Sequence, residues 1–99
     1  MSGFIFLNFK TYKEATGKNG LRLARIAQSV AKSSRAKIVL VAQSVDIVPL
    51  KNSVSLPIFA QHADNFAPGA HTGFVLPYSL KQAGCKGVVL NHAENKRSN

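Results

Sequence analysis

The stretch Leu21–Val41, LRLARIAQSVAKSSRAKIVLV, decides how this chain folds. Its first part, Leu21–Ser34, is predicted to be a helix, because its apolar residues follow the spacing i, i+3, i+4, i+7 and i+8 of a single helix face. These residues are Leu23, Ile26, Ala27, Val30 and Ala31. The last part, Ile38–Val41, is an unbroken apolar run of the kind that forms a strand buried on both faces. A helix is therefore predicted to lead directly into a buried parallel strand.

The same alternation continues on both sides of this stretch. Further strands, also apolar throughout, are predicted at Phe4–Leu7, Pro57–Ala60 and Gly87–Leu90. Ser44 suits the N-cap of a short second helix, and Pro77 and Gly84 suit the start and the end of a third. The order β-α-β-α-β-α-β predicts a parallel α/β sheet with right-handed crossovers. Two architectures fit, an open flavodoxin-like sheet and half of a (β/α)8 barrel, since a complete barrel takes about 250 residues.

Composition limits the class of protein. The chain has 99 residues, of which 45% are hydrophobic, as expected for a globular domain. Its longest apolar run, Ile38–Ala42, is far shorter than the roughly 20 residues that a membrane-spanning helix needs. The N-terminus has no secretory signal pattern, and the single cysteine, Cys85, excludes an internal disulfide framework. We therefore expect a cytoplasmic protein with no membrane partner.

The charge is strongly positive. Lys and Arg number 13 against 4 Asp and Glu, which gives a formal net charge of +9. The cations are spread along the whole sequence, without a run of five and without alternating aromatic residues. This pattern favours a solvated basic surface or an acidic protein partner and disfavours nucleic acid. No Cys/His spacing typical of zinc and no phosphate-binding glycine motif is present, so neither a metal nor a nucleotide is expected.

Polar residues follow the predicted strands. In parallel α/β folds, functional groups gather beyond the carboxyl ends of the strands. The residues found there are Asn8, Lys10, Gln43, Gln61, His62, Asn91, His92 and Glu94. Each also has an ordinary structural interpretation, such as a solvated loop lysine or a hydrogen-bonded histidine. Together, an ammonium group and a neutral imidazole suit the stabilisation of negative charge on a small oxyanion or phosphate.

Several short motifs occur in the order typical of one enzyme family. They are Asn8–Tyr12 (NFKTY), Glu14–Gly17 (EATG), Ala60–His62 (AQH), Pro68–Gly73 (PGAHTG) and Leu90–Asn95 (LNHAEN). On these residues the chain resembles triosephosphate isomerase, most closely the short archaeal type. The resemblance favours the barrel architecture. It implies that residues 1–99 are a single partial domain, the N-terminal half of a (β/α)8 TIM barrel, truncated after the fourth strand.

The resemblance also implies a function and a site. The family interconverts dihydroxyacetone phosphate and glyceraldehyde 3-phosphate through an enediolate, without a cofactor. By resemblance, Asn8 and Lys10 would contact the substrate, and Lys10 would stabilise its negative charge. His92 would be the neutral electrophile, and Glu94 the supporting carboxylate that organises the lysine. Thr72 would reach across a subunit interface.

The family's glutamate base, at the end of its sixth strand, has no counterpart in these 99 residues. The isolated chain is therefore expected to be inactive. Open strand edges favour pairing, so a homo-oligomer or a complementary C-terminal half-barrel is expected as partner, beside the triose phosphate substrate. Two alternatives remain open: a non-catalytic half-barrel that binds phosphate ligands or serves as a partner subunit, and a basic α/β module that binds nucleic acid.

Overall fold

Four parallel strands form one sheet in the computed structural model, which describes residues 3–89. The elements are β1 (Phe4–Asn8), α1 (Gly17–Ser34), β2 (Lys37–Ala42), α2 (Ile47–Ser53), β3 (Ile58–Ala60), α3 (Pro77–Gln82) and β4 (Gly87–Val88), with 3-10 turns at Lys13–Ala15 and Ser44–Asp46. This confirms the predicted β-α-β-α-β-α-β order. The strands lie side by side in sequence order, β1-β2-β3-β4. A flavodoxin-like sheet would place its first strand inside the order, so the topology favours the half-barrel.

One face of the sheet, here called the helix face, packs against the helices. Paired residues of parallel strands share a face, and the pairs Ile5–Ile38 and Leu40–Ile58 lie on this one. Leu40 and Ala42 are completely buried, as is Ala60 on β3. Residues from all three helices, with Val54 just after α2, complete this core: Ala24, Ala27, Ile47, Leu50, Val54 and Leu80. Apolar burial between the sheet and one layer of helices therefore forms the core of the fold.

The opposite face, here called the open face, is covered by side chains of the strands themselves. The rings of Phe6 and Phe59 meet edge to face at 5.6 Å, although β2 lies between their strands. Val39 and Val41, which pair with Phe6 and Phe59 in the sheet, lie on the same face and are buried. A Cβ at Gly87 would lie 2.8 Å from the Phe59 ring, so the absence of a side chain there leaves room for this arrangement.

The prediction that β1 is buried on both faces is wrong. Phe4, Ile5 and Phe6 are all more than half exposed. Within the described residues, β1 pairs only with β2, so one of its edges has no neighbouring strand and few side chains cover it. The prediction for the central strand is confirmed, because β2 is buried from Ile38 to Ala42.

Helix α1 begins four residues earlier than predicted. The turn residues Gly17 and Gly20 belong to the helix, and Asp46 explains why it starts there. The buried Asp46 carboxylate accepts hydrogen bonds from the Gly17 N–H at 3.1 Å and from the Thr16 hydroxyl at 2.6 Å. Asp46 directly precedes α2, yet its side chain makes no capping bond there and caps the N-terminus of α1 instead.

The buried face of α1 also differs from the predicted one. It consists of Gly20, Ala24 and Ala27. Ile26 and Val30 are half exposed. Small residues dominate the contact, and a Cβ at Gly20 would lie 2.8 Å from the Ala15 carbonyl oxygen. The helix therefore packs unusually close to the preceding 3-10 turn.

The residues predicted to start and end the third helix are confirmed. Pro77 is its first residue, and Gly84 follows its end with a φ of 98°, a conformation that favours glycine. The predicted third strand begins one residue later, at Ile58. Leu90, the last residue of the predicted fourth strand, lies outside the described residues.

Candidate functional site

Asn8, Lys10 and Gln61 meet at the carboxyl end of the sheet. The Asn8 side-chain oxygen accepts a hydrogen bond from the Lys10 N–H at 2.9 Å. The Gln61 amide nitrogen, which comes directly after β3, donates to the Lys10 carbonyl oxygen at 2.8 Å and approaches the Asn8 oxygen at 3.4 Å. The backbone of Lys10 is therefore held from its N–H side and from its carbonyl side by groups on two strands.

The backbone of Lys10 adopts the left-handed conformation, with a φ of 51°. Such a conformation costs a non-glycine residue about 1–3 kcal/mol and is enriched at functional sites. The preceding residue, Phe9, anchors the turn, because its side chain is buried and its N–H donates to the Val41 carbonyl at 2.8 Å. The Lys10 ammonium lies 5.9 Å from the Tyr12 ring centre. A lysine is thus presented at the rim on a strained but well-supported backbone.

His62, the other rim residue of the third strand, has a partner within its own loop. Its Nε2 lies 3.0 Å from a carboxylate oxygen of Asp64. The second Asp64 oxygen accepts the Val75 N–H at 2.9 Å, and the Asp64 N–H donates to the Val75 carbonyl at 2.7 Å. Asp64 therefore closes the base of the loop between β3 and α3. This arrangement supports the structural interpretation of His62 given by the sequence.

The tip of that loop carries Thr72 beside three aromatic rings. Phe66 stacks on His71 at 4.8 Å and meets Phe74 edge to face at 5.3 Å. Thr72 is exposed, and Gly73 turns the chain beside it with a φ of 87°. Phe66 and Phe74 are both about half exposed. The tip is thus an ordered projection with apolar surface.

The structure brings together two of the five predicted site residues, Asn8 and Lys10. Thr72 lies on the β3–α3 loop, while His92 and Glu94 lie outside the described residues. Between residues 3 and 89, no three His, Cys, Asp or Glu side chains converge as a metal site. Over the same range, no helix is long and apolar enough to cross a membrane.

Sequence reasoning placed Gln61 at the rim but gave it no role. Its position immediately after a buried strand was the available signal. Its function depends on the left-handed turn at Lys10, two strands away in the sheet, which no local pattern reveals. Asp64 was missed for a similar reason, because its partner Val75 lies 11 residues further along the chain.

Four parallel strands in consecutive order define the class of fold, half of a (β/α)8 barrel. An ammonium and amides lie at the carboxyl ends of these strands, where such barrels carry their sites. Comparison with known proteins gives the family. The family model for triosephosphate isomerase matches residues 3–99, and the chain belongs to the triosephosphate isomerase family.

Archaeal relatives agree with this assignment. The chain is 42% identical to the triosephosphate isomerase of Methanocaldococcus jannaschii, over 93% of this chain and 42% of the relative. It is 45% identical to that of Methanobrevibacter smithii, over 93% of this chain and 41% of the relative. It is 40% identical to that of Methanoculleus marisnigri, over 96% and 43% respectively. The chain thus spans about two-fifths of the length of these relatives, at their N-terminal end.

Proposed function

We propose that this chain supplies the N-terminal half of a triosephosphate isomerase, which interconverts dihydroxyacetone phosphate and glyceraldehyde 3-phosphate. The observation that carries the proposal is the support of Lys10 at the rim by Asn8 and Gln61. The reaction builds negative charge on the substrate oxygen as the enediolate forms. A fixed ammonium group stabilises that charge more than it stabilises the neutral carbonyl, and this difference lowers the barrier.

The remaining roles follow from the family assignment. His92 would donate a hydrogen bond to the reacting oxygen as a neutral imidazole, and Glu94 would organise Lys10. Asn8 would share in binding the substrate. The glutamate that removes the proton would come from the part of the barrel beyond these 99 residues. No cofactor takes part in this chemistry.

The assembly proposed for activity is a completed barrel in the cytoplasm, formed with a complementary C-terminal half. Residues 1–99 would be a single partial domain within it. Thr72 would contact a second subunit, and its exposure at the tip of the β3–α3 loop supports this role. The half-exposed Phe66 and Phe74 beside it would supply apolar contact area in the same interface.

Complementation tests the catalytic proposal. The chain is co-expressed with the C-terminal part of the Methanocaldococcus jannaschii relative, and isomerisation is measured on the purified complex. Lys10→Ala and His92→Ala should each lower turnover by about 100-fold or more, because each removes a group that acts on transition-state charge. Lys13→Ala is the control, since Lys13 is an exposed lysine in the next turn. Near-normal turnover of an assembled Lys10→Ala complex would contradict the proposal.

A second candidate is a non-catalytic half-barrel that binds phosphate ligands. It is favoured by one observation: the Lys10 backbone is hydrogen-bonded by Asn8 and Gln61, which both lie in the described part of the chain. Calorimetry with 2-phosphoglycolate on the 99-residue chain alone would test it. Micromolar binding that is lost on Lys10→Ala and kept on Lys13→Ala would support this candidate, and no binding at millimolar ligand would exclude it.

A further inference from the structure

Helix α1 carries a continuous line of cations on its solvent side. The line comprises Lys18, Arg22, Arg25 and Lys32, and these four residues are here called the basic stripe. Their positions, with Ser29, follow the spacing i, i+4, i+7, i+11 and i+14, which keeps them on one side of a helix. At 1.5 Å per residue, the stripe extends about 21 Å along the axis. The even spread of cations in the sequence hides this grouping.

The orientation of the stripe is fixed by the fold. Gly20, Ala24 and Ala27 on the other side of α1 are buried against the sheet, so the four cations point away from the core. All four are exposed, as is Ser29 between them. Lys18, Leu21, Arg22, Arg25, Ile26 and Ser29 line a shallow surface depression.

The positive charge of the stripe is not compensated within the helix. Helix α1 contains no Asp or Glu. Of the acids in the described residues, Asp46 and Asp64 accept hydrogen bonds from the fold, and Glu14 lies in the turn before the helix. Within residues 3–89, the one polar side-chain contact of the stripe is between Arg22 and Asn19, at 3.4 Å. The stripe therefore presents its charges to solvent.

We propose that the basic stripe binds the phosphate backbone of a nucleic-acid duplex. The four side chains of the stripe are all Lys or Arg, and the apolar Leu21 and Ile26 lie beside them in the shallow depression. A polyphosphate can bind such a line of charges without an apolar anchor, because the release of condensed counterions drives its binding. Arg22 and Arg25 also match the geometry of phosphate oxygens, to which guanidinium groups donate paired hydrogen bonds. The contact reads no base sequence.

The test uses the 99-residue chain and a fluorescein-labelled 20-base-pair DNA duplex. Anisotropy is measured over a NaCl series starting at 50 mM. Four phosphate contacts predict a slope of about 3 to 4 in log Kd against log salt, since each contact contributes about 0.9. The combined variant Lys18→Gln, Arg22→Gln and Arg25→Gln should lower the slope to about 1 and weaken binding at 50 mM salt at least tenfold.

The matched control removes the same charge elsewhere. Lys37→Gln, Lys81→Gln and Lys86→Gln neutralise three exposed lysines outside α1. The control should bind within about threefold of the parent chain, because its stripe is intact. Equal loss in both triple variants would show that net charge alone drives binding, and would overturn the proposal. No binding at 50 mM salt would also overturn it.

Two further arms separate the alternatives. Poly-glutamate that competes as well as the duplex, charge for charge, would assign the stripe to acidic proteins and overturn the proposal. The second arm is chemical acetylation of the parent chain, which does not depend on the folding of any variant. The duplex should protect Lys18 and Lys32 against acetic anhydride and leave Lys81 and Lys86 reactive, and the reverse pattern would contradict the assignment.

Discussion

The two faces of the sheet are made from similar residues but are buried to different extents. On the helix face, Leu40 and Ala42 are completely inaccessible and belong to a core cluster that includes residues of all three helices. On the open face, Phe6 and Phe59 meet across β2, and Phe6 itself is 53% exposed. Both faces are thus largely apolar, and only the helix face is covered by a second layer in the described residues. The helix face should carry most of the stability of these residues.

The largest expected effect is the loss of unfolding free energy when a large side chain of the helix face is truncated. The matching substitution on the open face should cost less. Leu40→Ala should cost about 2–5 kcal/mol of unfolding free energy, because it leaves a cavity between the sheet and the helices. Phe6→Ala should cost about 1 kcal/mol, since half of the ring is already in water. Urea unfolding followed by circular dichroism measures both.

A small domain has a small stability margin, so Leu40→Ala can abolish folding altogether. Leu40→Val then gives a measurable intermediate loss. If Phe6→Ala proved as costly as Leu40→Ala, the open face would be covered in solution, for example by a second copy of the chain. Sedimentation of the two variants and the parent chain distinguishes this case.

Gly20→Ala should weaken the packing of α1 without changing a residue of the sheet. In an exposed helix this substitution stabilises by up to about 1 kcal/mol. Here the new Cβ would lie 2.8 Å from the Ala15 carbonyl oxygen, a backbone atom that cannot swing aside. We expect a net loss of about 1–3 kcal/mol in the same urea measurement. Gly3→Ala is the control, because nothing lies within 4 Å of its Cβ position. A stabilised Gly20→Ala protein would show that α1 does not pack this closely.

Asp46→Ala tests whether the Asp46 carboxylate, which is distant in sequence, stabilises the start of α1. It removes the hydrogen bonds to Gly17 and Thr16, and we expect a loss of about 1–2 kcal/mol with fraying at the start of α1. Glu14→Ala, at an exposed acid, should change stability by less than about 0.5 kcal/mol. Hydrogen exchange at residues 17–20 reports the fraying directly, and unchanged protection there would contradict the capping role.

The sequence predicted the features that depend on local pattern. Strand β2 was predicted correctly because both of its faces are buried, as an unbroken apolar run indicates. The same reasoning was wrong for β1, whose equally apolar residues lack a neighbour on one edge. The early start of α1 depends on Asp46, about 29 residues away, and could not be read from glycines that ordinarily mark turns.

The candidate site shows the same division. The residue types at the rim were predictable, since they directly follow the strands. The support of Lys10 by Gln61 joins positions 51 residues apart, and only the parallel pairing of β1, β2 and β3 brings them together. A local pattern therefore identifies which groups reach the rim, and the topology decides which of them hold the others in place.

The smallest expected effect concerns the rim, where both faces end. Gln61→Ala removes the hydrogen bond to the Lys10 carbonyl, which contributes about 1 kcal/mol. The left-handed turn at Lys10 then loses its support from β3, so the Lys10 amide should shift in an NMR spectrum and exchange faster. Gln82→Ala, at an exposed glutamine ending α3, should leave both stability and the Lys10 signal unchanged. An unshifted Lys10 amide in Gln61→Ala would mean that Asn8 alone maintains the turn, through the 2.9 Å bond to the Lys10 N–H.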